Sequence, residues 1–171
     1  MRTVSGHVSI GGPVQDGAGF PTLDSFLDRL REIGTDHDVL IQAFDARYVA
    51  GPAHLEAALE HATRSMARGE NVAEDLGVEV LCYAAGRRQI DEAMELGVST
   101  GADRPVIVLL DGERETAAAA AVAETIDTGP VEPDDRRLAS FFSITEAERE
   151  ATRGTLTDLV CERVALLDVE K

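Results

Sequence analysis

Residues 105–110, PVIVLL, form an unbroken apolar run. A strand of this kind offers no polar face to water, so it must be buried, and whatever fold the chain adopts has to cover it. Residues 3–10 alternate instead, with Val4, Gly6, Val8 and Ile10 on one face and Thr3, Ser5, His7 and Ser9 on the other. That pattern predicts a half-buried strand. A third stretch, 76–85 (LGVEVLCYAA), is apolar nearly all round at helical length and predicts a buried helix. Strands and helices mixed in this way within 171 residues predict one α+β domain over residues 1–171: a small mixed β-sheet with several packed α-helices.

The remaining elements follow from local signals. Residues 11–21 (GGPVQDGAGFP) are rich in Gly and Pro and predict a loop. Thr22 caps a helix carrying Leu23, Phe26, Leu27 and Leu30 inward, and Gly34 is expected to end it. A strand is expected over 39–49, broken by Gly51-Pro52, and a helix from there to about Arg68, stopped by Gly69. Asn71 and Glu74 have the spacing of a capping box. Gly86 should end the buried helix, and a short helix should follow with Ile90, Ala93 and Met94 inward. Residues 116–126 predict a helix by Ala propensity, and 155–168 a last helix with an apolar stripe from Leu156 to Leu167. The Ala-rich 117–123 segment and that stripe are candidate docking faces, weighed against an ordinary core role.

Charge narrows the functional classes. There are 32 acidic residues against 16 basic ones, a formal charge of −16, and the only Lys is Lys171. Acidity with so little Lys suits a cytoplasm near saturation in salt, where the Debye length falls to roughly 3 Å at 1 M. The chain therefore reads as a halophile's, and as cytoplasmic, since Met1–Gly6 carries no apolar signal core and no run of 18 apolar residues would span a membrane. A broadly basic nucleic-acid surface is excluded, and 4% aromatics with no Trp argue against an aromatic-platform RNA binder. Any nucleic-acid site must be local.

Most candidate chemistry reads as structure. His54 and His61 lie seven apart on one helix, about 10 Å, too far to share an ion without further ligands. Cys82 sits in the buried helix, where a reactive thiolate is disfavoured. Asp134-Asp135 and Glu146, Glu148 and Glu150 read as solvated surface. No nucleophile elbow, phosphate loop or zinc-protease motif occurs. What remains is Gly86-Arg87-Arg88-Gln89-Ile90. Two adjacent guanidiniums stand where one helix ends and another begins, and unpaired N–H groups at a helix start attract phosphate. Pairing of both arginines with nearby carboxylates is the competing reading. An enzyme acting on a phosphorylated metabolite at Arg87 and Arg88, with Asp45 beside Arg47 as its base, is an alternative function.

The ordered segments QAFDARYVAGPAHLEAALEHA (42–62), NVAEDLGVEVLCYAAGRRQIDEAMELGV (71–98) and PVIVLL (105–110) resemble the small subunit of the KEOPS complex, the TPRKB family. The resemblance rests on Asp45-Ala46 with Val49, Gly51-x-x-His54-Leu55, Glu79-x-Leu81-x-Tyr83 and Gly86-x-Arg88-Gln89-Ile90. It implies a subunit without catalytic residues, cofactor or metal. The complex makes N6-threonylcarbamoyladenosine beside the anticodon of tRNA. A threonylcarbamoyl transferase subunit performs the transfer, and a kinase-like ATPase subunit binds the small one, which activates it. In archaea the small subunit also captures the 3′ CCA end of tRNA. Carried onto this sequence, Arg87 and Arg88 would hold terminal phosphates, and Gln89 and His54 would contact bases.

Overall fold

A computed structural model describes residues 1–12 and 19–169. The fold is α+β, with eight helices and a five-stranded mixed sheet among the described residues. By contact the chain divides into two compact units, residues 1–46 with 97–132 and residues 47–96 with 133–171.

The first unit is the sheet and two helices. β1 (Arg2–Ile10) and β3 (Leu40–Asp45) both run antiparallel to β4 (Gly101–Asp111), which lies between them. The apolar run at 105–110 is thus the centre of the sheet, and Val106, Val108, Leu109 and Leu110 are fully buried. The edge of β1 away from β4 is covered piecewise: β2 (Gly19–Phe20) pairs parallel with Ser9 and Ile10, and β5 (Asp127–Thr128) pairs antiparallel with Gly6 and His7. Most of the loop expected at 11–21, residues 13–18, lies outside the described residues. Helices α1 (Leu23–His37) and α5 (Glu115–Ala123) close the unit's core, contributing Phe26, Leu30, Ile33, Ala118 and Val122 beside Val8, Ile10 and Val106.

Two sequence expectations change here. α1 starts where Thr22 puts it, with a capping box to Ser25, but passes through Gly34 to His37 and ends at Asp38 in left-handed geometry (φ 52). Gly34 serves close packing instead: a Cβ there would lie 3.1 Å from the Val39 carbonyl oxygen. The strand expected over 39–49 stops at Asp45 and passes into a 3-10 turn, Ala46–Tyr48.

The second unit is helical. α2 (Pro52–Arg68) runs from Pro52 at its first turn to left-handed Gly69, as the sequence indicates. It packs on α3 (Leu76–Ala85), whose residues are buried apart from Leu76 and Val78. α3 is capped by Asp75, whose carboxylate accepts the Val78 N–H, and not by Asn71. The reason is Glu79, 1% exposed, whose Oε2 accepts the N–H groups of Val72 and Ala73 at 3.0 and 2.9 Å. Those bonds hold 72–73 as a loop, which leaves Asp75 to start the helix. α4 (Ile90–Ala93) and a 3-10 turn, Met94–Leu96, follow. Ala93 and Leu96 point inward, while Ile90 and Met94 are exposed, because so short a helix has room for one inward stripe only. α6 (Asp135–Phe141), α7 (Glu146–Ala151) and α8 (Leu156–Leu166) complete the unit. Leu138, Phe142 and Ile144 pack with Leu159 and Val160 of α8, so the C-terminal stripe is mainly core.

Candidate groove lined by arginines and aromatic rings

The second unit carries a groove of about 750 Å3. Its rings are Tyr48 and Phe141, its cations Arg87, Arg136 and Arg137, and its carboxylates Glu92, Glu95 and Asp134, with Ser140 and Ser143 beside them.

Each part is positioned by local structure. α3 ends at Gly86 with φ 58, a conformation that favours glycine, and the Arg87 N–H donates to the Cys82 carbonyl at 3.1 Å. The chain thereby turns Arg87 out of the helix end, where the dipole also favours a cation. Its guanidinium lies 5.1 Å from the Phe141 ring centroid, donates from Nη2 to the Phe141 carbonyl at 2.7 Å, and has Glu92 at 3.6 Å. Phe141 meets Tyr48 edge to face at 5.6 Å. The Tyr48 hydroxyl donates to Glu95 at 3.1 Å.

Asp134 organises the far wall. Its N–H donates to the Arg47 carbonyl at 3.0 Å, tying the start of α6 to the turn that carries Tyr48. Its carboxylate accepts the N–H groups of Arg136 and Arg137, both at 3.1 Å, and meets the Arg137 guanidinium at 3.3 Å. These bonds, the Arg137 N–H first, hold the carboxyl below its ordinary value. Asp134 is therefore a helix cap as well as a solvent-exposed acid. The guanidinium of Arg136 is exposed and has no hydrogen bond or ion pair among the described residues.

The residues singled out in the sequence are divided by the structure. Arg87 lines the groove. Arg88 and Gln89 are not among its lining residues: Arg88 is half-buried, with Nη1 lacking a hydrogen-bond partner among the described residues, and Gln89 is exposed at the start of α4. α4 is a single turn, so the dipole expected to draw phosphate there is slight. His54 is 0% exposed. Its Nδ1 accepts the Ala50 N–H at 3.2 Å, and its Nε2 donates to the Ala84 carbonyl at 2.7 Å. Burial pushes the imidazole down to about 4, against the opposing pull of the Ala84 bond. His54 thus ties the start of α2 to the end of α3, next to Gly86, and presents no ring atom to a ligand.

The other candidates take structural places. His61 Nδ1 meets Asp168 at 2.6 Å and its ring stacks on Tyr83. No group of three His, Cys, Asp or Glu residues among the described ones could hold a metal ion. Burial pushes the Cys82 thiol up to about 11, with Glu79 adding to it. Asp45, the base of the alternative enzyme, ends β3 at 5% exposure. No helix among the described residues is long and apolar enough to cross a membrane. Tyr48, Phe141, Arg136 and Arg137 were not singled out as site residues. The available signal was the stretch DDRRLASFF (134–142), with a second arginine pair and two of the chain's five phenylalanines.

A family model described as kinase binding protein CGI-121 matches residues 24–168. No curated protein matches the sequence.

Proposed function

This chain belongs to the kinase binding protein CGI-121 family, and we propose that it serves as a cytoplasmic, non-catalytic subunit of the KEOPS complex, binding and activating the kinase-like ATPase and recruiting tRNA by its 3′ CCA end. Through that ATPase it meets the threonylcarbamoyl transferase subunit. The family match supports the kinase-binding half. The observation that carries the RNA half is the groove, where three arginines and two aromatic rings converge in a chain of charge −16. A single-stranded end offers unstacked bases to rings and phosphates to guanidiniums. A duplex face would need a broad basic surface that this composition does not supply.

In this reading Arg87 and the Arg136–Arg137 pair take phosphates, and Tyr48 and Phe141 receive a base. Arg88 and Gln89 flank the groove in sequence and contact the next nucleotides. His54 supports Arg87 by fixing the end of α3. The test compares binding of intact and CCA-trimmed tRNA to the isolated chain. Intact tRNA binds more tightly, and Arg87→Glu weakens it about ten-fold or more, with the melting temperature followed beside it because Arg87 also holds the Phe141 carbonyl. Equal binding of the two tRNAs sinks the RNA half. Co-purification of the tagged chain in high salt tests the other half, which fails if no kinase-like protein accompanies it.

A further inference from the structure

The groove sets three guanidiniums against three carboxylates, but among the described residues only two of them pair, Arg137 with Asp134 and Arg87 with Glu92, and the two pairs are unequal. Arg137 has Asp134 at 3.3 Å, a carboxylate itself fixed by two backbone N–H groups. Glu95 is engaged by the Tyr48 hydroxyl. Glu92 is different. It approaches Arg87 Nε only to 3.6 Å, beyond hydrogen-bond range, and its side chain is 56% exposed. Arg87 meanwhile stays in place through its bond to the Phe141 carbonyl and its position over the Phe141 ring. Removing Glu92 would not release Arg87. It would uncover the guanidinium edge that Glu92 now faces.

We propose that Glu92 is an internal competitor for the anion bound in this groove, displaced from Arg87 when a phosphodiester enters, and that Arg136, whose guanidinium has no partner among the described residues, makes the first hold on the incoming phosphate. This rests on the groove being the RNA-end site. An exposed ion pair at 3.6 Å is weak enough to be exchanged, whereas phosphate offers a guanidinium two acceptors at once. The exchange also confers selectivity. A small anion gains one contact and must evict Glu92, so it gains little. A nucleotide brings a base to Tyr48 and Phe141 in the same event, and stacking there favours it over chloride or a free carboxylate.

The experiment uses the full chain and a fluorescent single-stranded RNA dodecamer ending in CCA, titrated at fixed salt. Glu92→Gln binds about three-fold more tightly than the unaltered chain, the scale of an exposed ion pair. Asp91→Asn makes the same change of charge on the same helix outside the groove, and leaves binding unchanged. Arg136→Gln weakens binding about ten-fold. All three are exposed positions, and equal melting temperatures confirm that folding is unaffected. An unchanged or weaker Glu92→Gln overturns the competitor role, as does an equal gain from Asp91→Asn, which would be bulk charge. Unchanged binding by Arg136→Gln overturns the first-hold role. If the unaltered chain takes no RNA, the underlying reading of the groove fails, and that outcome is seen before any variant is compared.

Discussion

His54 shows how one buried titratable group couples stability to pH. Its folded value is about 4, against an ordinary 6.5, because burial disfavours the imidazolium. The unfolded chain takes up a proton below pH 6.5 and the folded chain does not, so His54 contributes fully above 6.5 and loses ground as pH falls toward 4. The expected loss is about 2 kcal/mol by pH 5. Denaturant unfolding of the native chain and of His54→Gln at pH 7 and pH 5 checks this. The gap between the two proteins should narrow by about that amount at pH 5, because only the native chain carries the titration. The sequence shows a His at the first turn of a helix, but its burial depends on Ala84, thirty residues on. No local pattern reports that α3 ends against that ring.

At the scale of elements, Gly6 explains itself only through β5. In the sequence it sits among Val4, Val8 and Ile10 as a member of the apolar face. In the fold a Cβ there would meet the Asp127 carbonyl oxygen at 2.2 Å, so the glycine admits a backbone and not a side chain. Gly6→Ala should therefore push β5 off β1, at a cost of about 1–3 kcal/mol. Hydrogen exchange reads this directly. The Gly129 N–H, which donates to the Ser5 carbonyl, should lose protection, while the β1–β4 ladder keeps it. Helix α6 gives a second expectation. Asp134→Ala removes the acceptor for the Arg136 and Arg137 N–H groups, so those two amides should exchange faster and binding at the groove should weaken. The elements whose signals are local were legible, as in α2 with its Pro start and Gly stop. α4 was legible as a short helix with Ala93 inward, but its face was not, since Ile90 and Met94 are exposed and one turn is too short for apolar spacing to define a stripe.

For the whole molecule, a charge of −16 sets how salt acts. Self-repulsion at low salt destabilises the compact state, so the melting temperature should rise as KCl is increased from about 0.1 M toward 2 M and the Debye length shrinks. RNA binding should respond weakly. If two or three phosphates are neutralised, the slope of log affinity against log salt is about −1.4 to −2.1, at roughly −0.7 per phosphate for a single strand. Titrations at several KCl concentrations measure it, and a slope several times steeper would mean a broad phosphate interface that the composition disfavours.

The sequence by itself determined what short-range chemistry controls. A run without polar residues became the central strand, an alternating run its neighbour, an all-round apolar helix the most buried one, and Thr22, Pro52, Gly69 and Gly86 set helix ends where they stand. It also determined that any anion site must be small and built on arginine, since Lys171 is the only lysine. Tertiary structure alone decided which arginines. Tyr48, Arg87, Arg136 and Phe141 come together from segments up to about ninety residues apart, through the Asp134–Arg47 bond and the packing of Leu138 and Phe142. Hydrophobic periodicity states which face of a helix is inward, but not which other helix it meets. The groove depends on that second fact, and so does the burial that removes His54 from it.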